Sequence, residues 1–267
     1  MSDIVIAAAT GLAAGLHSAT WGMFKDAPHE GFTWRTYARS PLLATIVAVA
    51  LVAGGAVDPG GAAGLVVLFA VTYGIERALI EVYKTFLREE DQSKYTIPMQ
   101  LSIRGRVIES RRVRLTAGAF YFAGELAILF GALRLQSVAP DPALLPAALF
   151  GSIGGWVSAF GGAWKDAPIE GFSLPKFFRS PLIAFAYGFL LAHFTRNYAL
   201  LLLGSIGLTV ATTETYKTFF FPNKNRGKFM GREPGYPRML NMRWRFVPLY
   251  VAIWLGVITA AAVALGT

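Results

Sequence analysis

The chain has 267 residues, 54% of them hydrophobic and only 15% charged, whereas soluble domains carry about 25% charged residues. That composition excludes an ordinary soluble protein and makes an all-α integral membrane protein the expectation. The absence of cysteine removes disulfides, thiolate metal sites and a cysteine nucleophile, and His17, His29 and His193 stand too far apart for metal spacing, so no metal and no cofactor is expected.

Met1-Ser2-Asp3 leads directly into an apolar run with no Lys or Arg ahead of it, so the basic region of a cleavable signal peptide is missing. The run 4–24 is long enough at 1.5 Å per residue to cross a hydrocarbon core of about 30 Å, and is predicted as a retained first span. Further spans are predicted at 41–57, 63–86, 113–136, 143–164, 181–195, 198–220 and 246–266, about eight in all. The segments 41–57 and 181–195 are short, and charge placement decides that they cross. With eight spans, the loops 24–40, 84–114, 164–179 and 217–245 share one side and hold 22 of the 25 Lys and Arg. Were the short segments re-entrant, the two longest basic loops would face opposite sides, against the positive-inside tendency. The basic loops are therefore expected in the cytoplasm and both termini on the opposite side; which membrane it is stays open.

The formal charge of +9 is explained by this topology, and no nucleic-acid partner is expected. Anionic lipid head groups are the expected partners of the basic loops. The stretches Ile97 to Arg104 and Tyr236 to Arg245, in which apolar and basic residues interleave, are expected to lie in the head-group layer.

The chain is duplicated. Lys25-Asp26-Ala27-Pro28-His29-Glu30-Gly31-Phe32 returns as Lys165-Asp166-Ala167-Pro168-Ile169-Glu170-Gly171-Phe172, and Arg39-Ser40-Pro41-Leu42 as Arg179-Ser180-Pro181-Leu182. From Gly11 against Gly151 the two copies agree at 16 of 32 positions. Residues 1–139 and 140–267 are read as two four-helix repeats. An even number of helices in each makes them parallel, related by a pseudo-two-fold axis along the membrane normal.

Within the first helix of each repeat, Gly11, Gly15, Ser18 and Gly22 match Gly151, Gly155, Ser158 and Gly162. The spacing puts each set on one helix face, suited to close packing of the first helix on the fifth, or to lining a narrow path. Pro28 and Gly31 are expected to break the first helix at the membrane surface, and Ser40 and Pro41 to cap and start the second. Glu81 and Lys84, mirrored by Glu214 and Lys217, share a helix face at i, i+3 and can pair. Each repeat thus delivers three cations and three carboxylates to one level: Lys25, Asp26, Glu30, Arg39, Glu81 and Lys84, and then Lys165, Asp166, Glu170, Arg179, Glu214 and Lys217. Such a set serves as a salt-bridge lattice, as the charged mouth of a path, or as a phosphate site with a carboxylate base.

Three intramembrane charges break the repeat. Glu76 and Arg77 correspond to Thr209 and Val210, and Glu125 has no acidic counterpart. Glu125 is the leading candidate for a proton- or cation-linked site, against a neutral or Arg77-paired structural role, and His17 reads as a hydrogen-bonded core histidine. The sequence contains no Ser-His-Asp order and no dinucleotide or phosphate-cradling glycine motif, so catalytic residues are not assigned. A motif kept in both halves fits a transporter or channel-like protein for an ion or small solute. A non-catalytic scaffold or subunit of a membrane complex, and an enzyme acting on a phosphorylated lipid head group, stay open as alternatives. Homo-oligomers or a membrane-complex partner are compatible with the small-residue faces.

Overall fold

The computed structural model describes residues 2–224 and 227–266; Arg226, counted above in the last basic loop, lies outside them. Eight long helices form the bundle: α1 (Asp3–Glu30), α2 (Trp34–Ala53), α3 (Gly61–Val82), α4 (Arg111–Val138), α5 (Leu144–Glu170), α6 (Leu174–Leu191), α7 (Tyr198–Phe219) and α8 (Met239–Gly266). A π-helical turn, Tyr83–Leu87, continues α3, and the 3-10 turn Arg243–Phe246 lies within α8. Seven of the eight are long and apolar enough to cross a membrane, which makes this a multi-pass membrane protein.

The exception, α6, has 18 residues and spans about 27 Å. It still runs the height of the bundle. Its first turn places Lys176 beside Asp166 and Glu170 at the end of α5, and just beyond its last residue Arg196 donates to Pro142 O, 2.9 Å away, before α5 begins. All four basic connections therefore gather at one end.

The helix ends depart from expectation. Pro28 does not break α1, which continues to Glu30 and stops at Gly31. There φ is +77°, as it is +81° at Gly171 after α5, a conformation that favours glycine in both copies. Proline has no N–H, so the Phe24 carbonyl one turn earlier loses its helical partner; Arg243 donates to that oxygen at 3.0 Å instead. Nor do Ser40 and Pro41 start a helix. The cap of α2 is Thr33, whose side chain accepts from Thr36 N at 3.2 Å, and Pro41 lies inside the helix. Ser180 and Pro181 are likewise interior to α6. The bias against a helical residue before proline is outweighed by packing, since Ser40 and Pro41 meet Gly15 where α1 and α2 lie closest.

That contact also corrects the expected packing. The small face of α1 lies on α2, not α5: a Cβ on Gly11 would stand 2.6 Å from Ala44 O. In the second half Gly155 lies equally tight against α6, where a Cβ would stand 2.6 Å from Ser180 O. A Cβ on Gly22 or Gly162 would meet nothing within 4 Å. The centre of the bundle is instead the crossing of α3 on α7, where any side chain on Gly74 would overlap Leu203 O and any on Gly207 would overlap Ala70 O. Around it lie Val66 to Tyr73, Leu201 and Leu208, all buried. By contrast α4 buries only Arg114, Gly118 and Ala132, leaving its apolar surface for lipid.

The long loops fold over the basic end. Residues 88–110 carry a hairpin, Ser102–Ile103 on Arg106–Val107, turning through Arg104 and Gly105 with φ of 51° and 77°. Within the predicted head-group segments, Ile97, Met99, Met239 and Arg243 are buried in protein.

Candidate functional site

At the basic end the repeated charges are brought together, but largely across the two halves. Lys25 of α1 pairs with Glu214 of α7 at 3.3 Å, and Lys217 holds the other oxygen of that carboxylate at 3.2 Å. Asp26 and Glu30 are both met by Lys228, at 3.0 and 3.3 Å, from the loop after α7. That loop seals the end of α1. Phe229 stacks on His29 with centroids 4.2 Å apart, and Tyr236 N donates to Pro28 O at 2.8 Å.

In the second half Asp166 and Glu170 are met by Lys176 at 3.4 and 2.5 Å. Glu81 and Lys84 pair at 3.4 Å, and Lys165 lies 3.6 Å from Met99 Sδ while acting on Glu81 by Coulomb attraction. Arg39 and Arg179 form no ion pair among the described residues. Above this layer Tyr95 OH lies 2.7 Å from Glu30 and 3.0 Å from Glu90. Burial, then the Glu30 carboxylate, push the Tyr95 phenol well above its usual range, so it stays a proton donor. Burial alone would raise Glu90, but the hydrogen bond from Lys94 and the charge of Arg88 hold it below the usual carboxylate range.

Deeper in the first half the interior is filled. Glu76 and Arg77, both buried, form a two-point pair at 2.6 and 2.8 Å, and Ser18 donates to Glu76 at 3.3 Å. Trp21 donates to Tyr73 OH at 2.7 Å, which leaves the hydroxyl proton for His17 Nδ1 at 3.1 Å. His17 also stacks on Tyr250 at 4.0 Å. It is a core histidine, as expected.

The second half has Val157, Gly161, Ile206, Thr209 and Val210 where the first has His17, Trp21, Tyr73, Glu76 and Arg77. Of these, Val210 borders open space. A cavity of 140 Å³ between α5, α6 and α7 reaches from Asp166 and Arg179 inward to Ser158 and Val210. It shares Asp166, Lys176, Arg179 and Lys217 with a cleft of 630 Å³ at the basic end.

Comparison with protein-family models, curated proteins and solved structures finds no match for this chain. The functional reading therefore rests on the geometry above.

Glu125 is outside both cavities. It sits partly buried on α4, hydrogen-bonded to Tyr121 one turn earlier; Arg77 is committed to Glu76 and does not reach it. Sequence reasoning missed Lys176, Lys228 and Tyr95. One signal was present for Lys176, since it replaces Thr36 in an otherwise repeated stretch. Lys228 gave none, because it meets Glu30 across 198 residues of chain.

Proposed function

We propose that this membrane protein is a transporter or channel-like protein, and that its solute enters the second half from the basic end. The observation that carries this reading is that the 630 Å³ cleft and the 140 Å³ cavity share the four charged residues Asp166, Lys176, Arg179 and Lys217 at the basic end, and that the cavity extends inward from them to the uncharged Ser158 at mid-height of α5. Ionisable groups bordering spans commonly mark solute paths. The second half is hollow where the first is filled, so duplication has supplied one half that supports and one that conducts.

The two halves are parallel repeats about a pseudo-two-fold axis along the membrane normal, passing near the crossing of α3 on α7. A reciprocal relation supports this: Gly74 against Leu203 is matched by Gly207 against Ala70. The basic end faces the cytoplasm on the positive-inside tendency.

Reconstitution in liposomes tests the path. Vesicles loaded with a pH dye, and separately with a panel of ions, are compared between wild type and Val210→Phe, which fills the cavity without adding charge. Flux in wild type that is lost in a folded Val210→Phe protein is expected. Absence of flux under every gradient would reject transport in favour of the scaffold or enzyme reading.

A further inference from the structure

The charges of the second-half opening do not balance. Among the described residues, six Lys or Arg side chains line the cleft and cavity, against the three carboxylates Asp166, Glu170 and Glu214. The carboxylates are already occupied: Lys176 takes Asp166 and Glu170, and Lys25 and Lys217 share Glu214. Arg179 lines both spaces, has no acidic partner among the described residues, and keeps its Nε buried without a hydrogen bond. Arg243 spends two nitrogens on the carbonyls of Phe24 and Pro222, yet its Nε is also buried and unpartnered. Lys224 lines the cleft with no ion pair among the described residues.

We infer that this opening binds a phosphate-bearing anion, with Arg179 as its principal contact. Resting on the reading of the second half as a solute path, this names the solute's chemical class. A guanidinium donates two parallel hydrogen bonds to phosphate, which suits a partly buried arginine lacking a carboxylate. The surplus of three positive charges matches a phosphate dianion together with a further negative group. Phe24, Phe221, Phe229 and Met230 supply apolar contact on the cleft wall, so the phosphate is either free or carried on an apolar body such as a lipid.

Binding is read on purified full-length protein by titration with inorganic phosphate in neutral detergent, and by thermal stability in phosphatidylcholine nanodiscs with and without phosphatidic acid. Wild type is expected to respond, and Arg179→Gln to bind about tenfold or more weakly, the loss of a two-point charged contact. Arg39→Gln, the exposed counterpart in the first half, is expected to bind as wild type does. Should Arg179→Gln fail to fold, Lys224→Gln at the exposed rim is expected to weaken binding in its place. Response to inorganic phosphate supports a free anion; response to phosphatidic acid alone supports a lipid head group. No response to either, or equal binding by wild type and the Arg179 and Lys224 variants, overturns the anion assignment. Phosphate binding without flux would keep the site and reject the path, whereas cation flux without phosphate binding would keep the path and reject the site.

Discussion

Glu76 and Arg77 show how an intramembrane charge pair is tolerated. They are consecutive on α3, close in two-point geometry, and wrapped by Trp21, whose ring lies 5.4 Å from the Arg77 guanidinium carbon. Removing one partner leaves a buried charge unpaired, which costs about 3–5 kcal/mol. Arg77→Met is thus expected to lose that much stability in denaturant titrations in detergent, and Glu76→Leu added to it to recover most of the loss. Glu90 gives a pH prediction. Its folded pKa is depressed, so its contribution is present above the unfolded value and lost as pH falls through the folded one. Hydrogen exchange in residues 88–110 should accelerate below the usual carboxylate range in wild type, and Glu90→Gln should remove that acid-linked step. Of these residues, Glu76 and Arg77 were both legible as intramembrane charges, but their pairing with each other was not. Adjacent residues on a helix do not ordinarily face each other, and only the fork of a long arginine side chain closes the pair.

The helices divide into those that touch through backbone and those that touch lipid. Adding Cβ to Gly15 or Gly74 drives it into neighbouring backbone, and overpacking of this kind costs about 1–3 kcal/mol. A Cβ on Gly22 or Gly162 would meet nothing within 4 Å, so alanine there should be neutral or stabilise by up to about 1 kcal/mol through helix propensity. Unfolding of the four alanine variants in mixed micelles separates the classes; equal losses at all four would refute the assignment of faces. The spacing of small residues revealed that α1 has a close-packing face. It did not reveal the partner, since Gly-rich faces on α1 and α5 read alike whether they meet each other or each its own following helix. Pro41 misled for a related reason: its local steric bias is real, but the adjoining Gly15 makes the interior position of α2 the closest contact of the two helices.

At the scale of the molecule, the apolar stretches and the gathering of basic loops were legible, because hydropathy and charge placement are additive along the chain. The pairing across halves was not, since Lys25 and Glu214 lie 189 residues apart. The proposed orientation rests on the same charge placement. In this cysteine-free chain, a single Lys94→Cys protein in intact cells should resist an impermeant thiol reagent until the membrane is opened, and labelling from outside would invert the proposed topology.

The cross-half contacts have a consequence for biosynthesis. A ribosome delivers Asp26 and Glu30 at the end of α1 long before it delivers Lys228, the loop lysine that meets both. Lys25 must likewise wait for Glu214. Residues 1–139 can therefore insert but not finish maturing, and made alone they should be cleared by quality-control proteases. Supplied with a separately translated 140–267, they should be rescued. The nascent chain does not complete the contacts of its first helix until its last loop has left the ribosome.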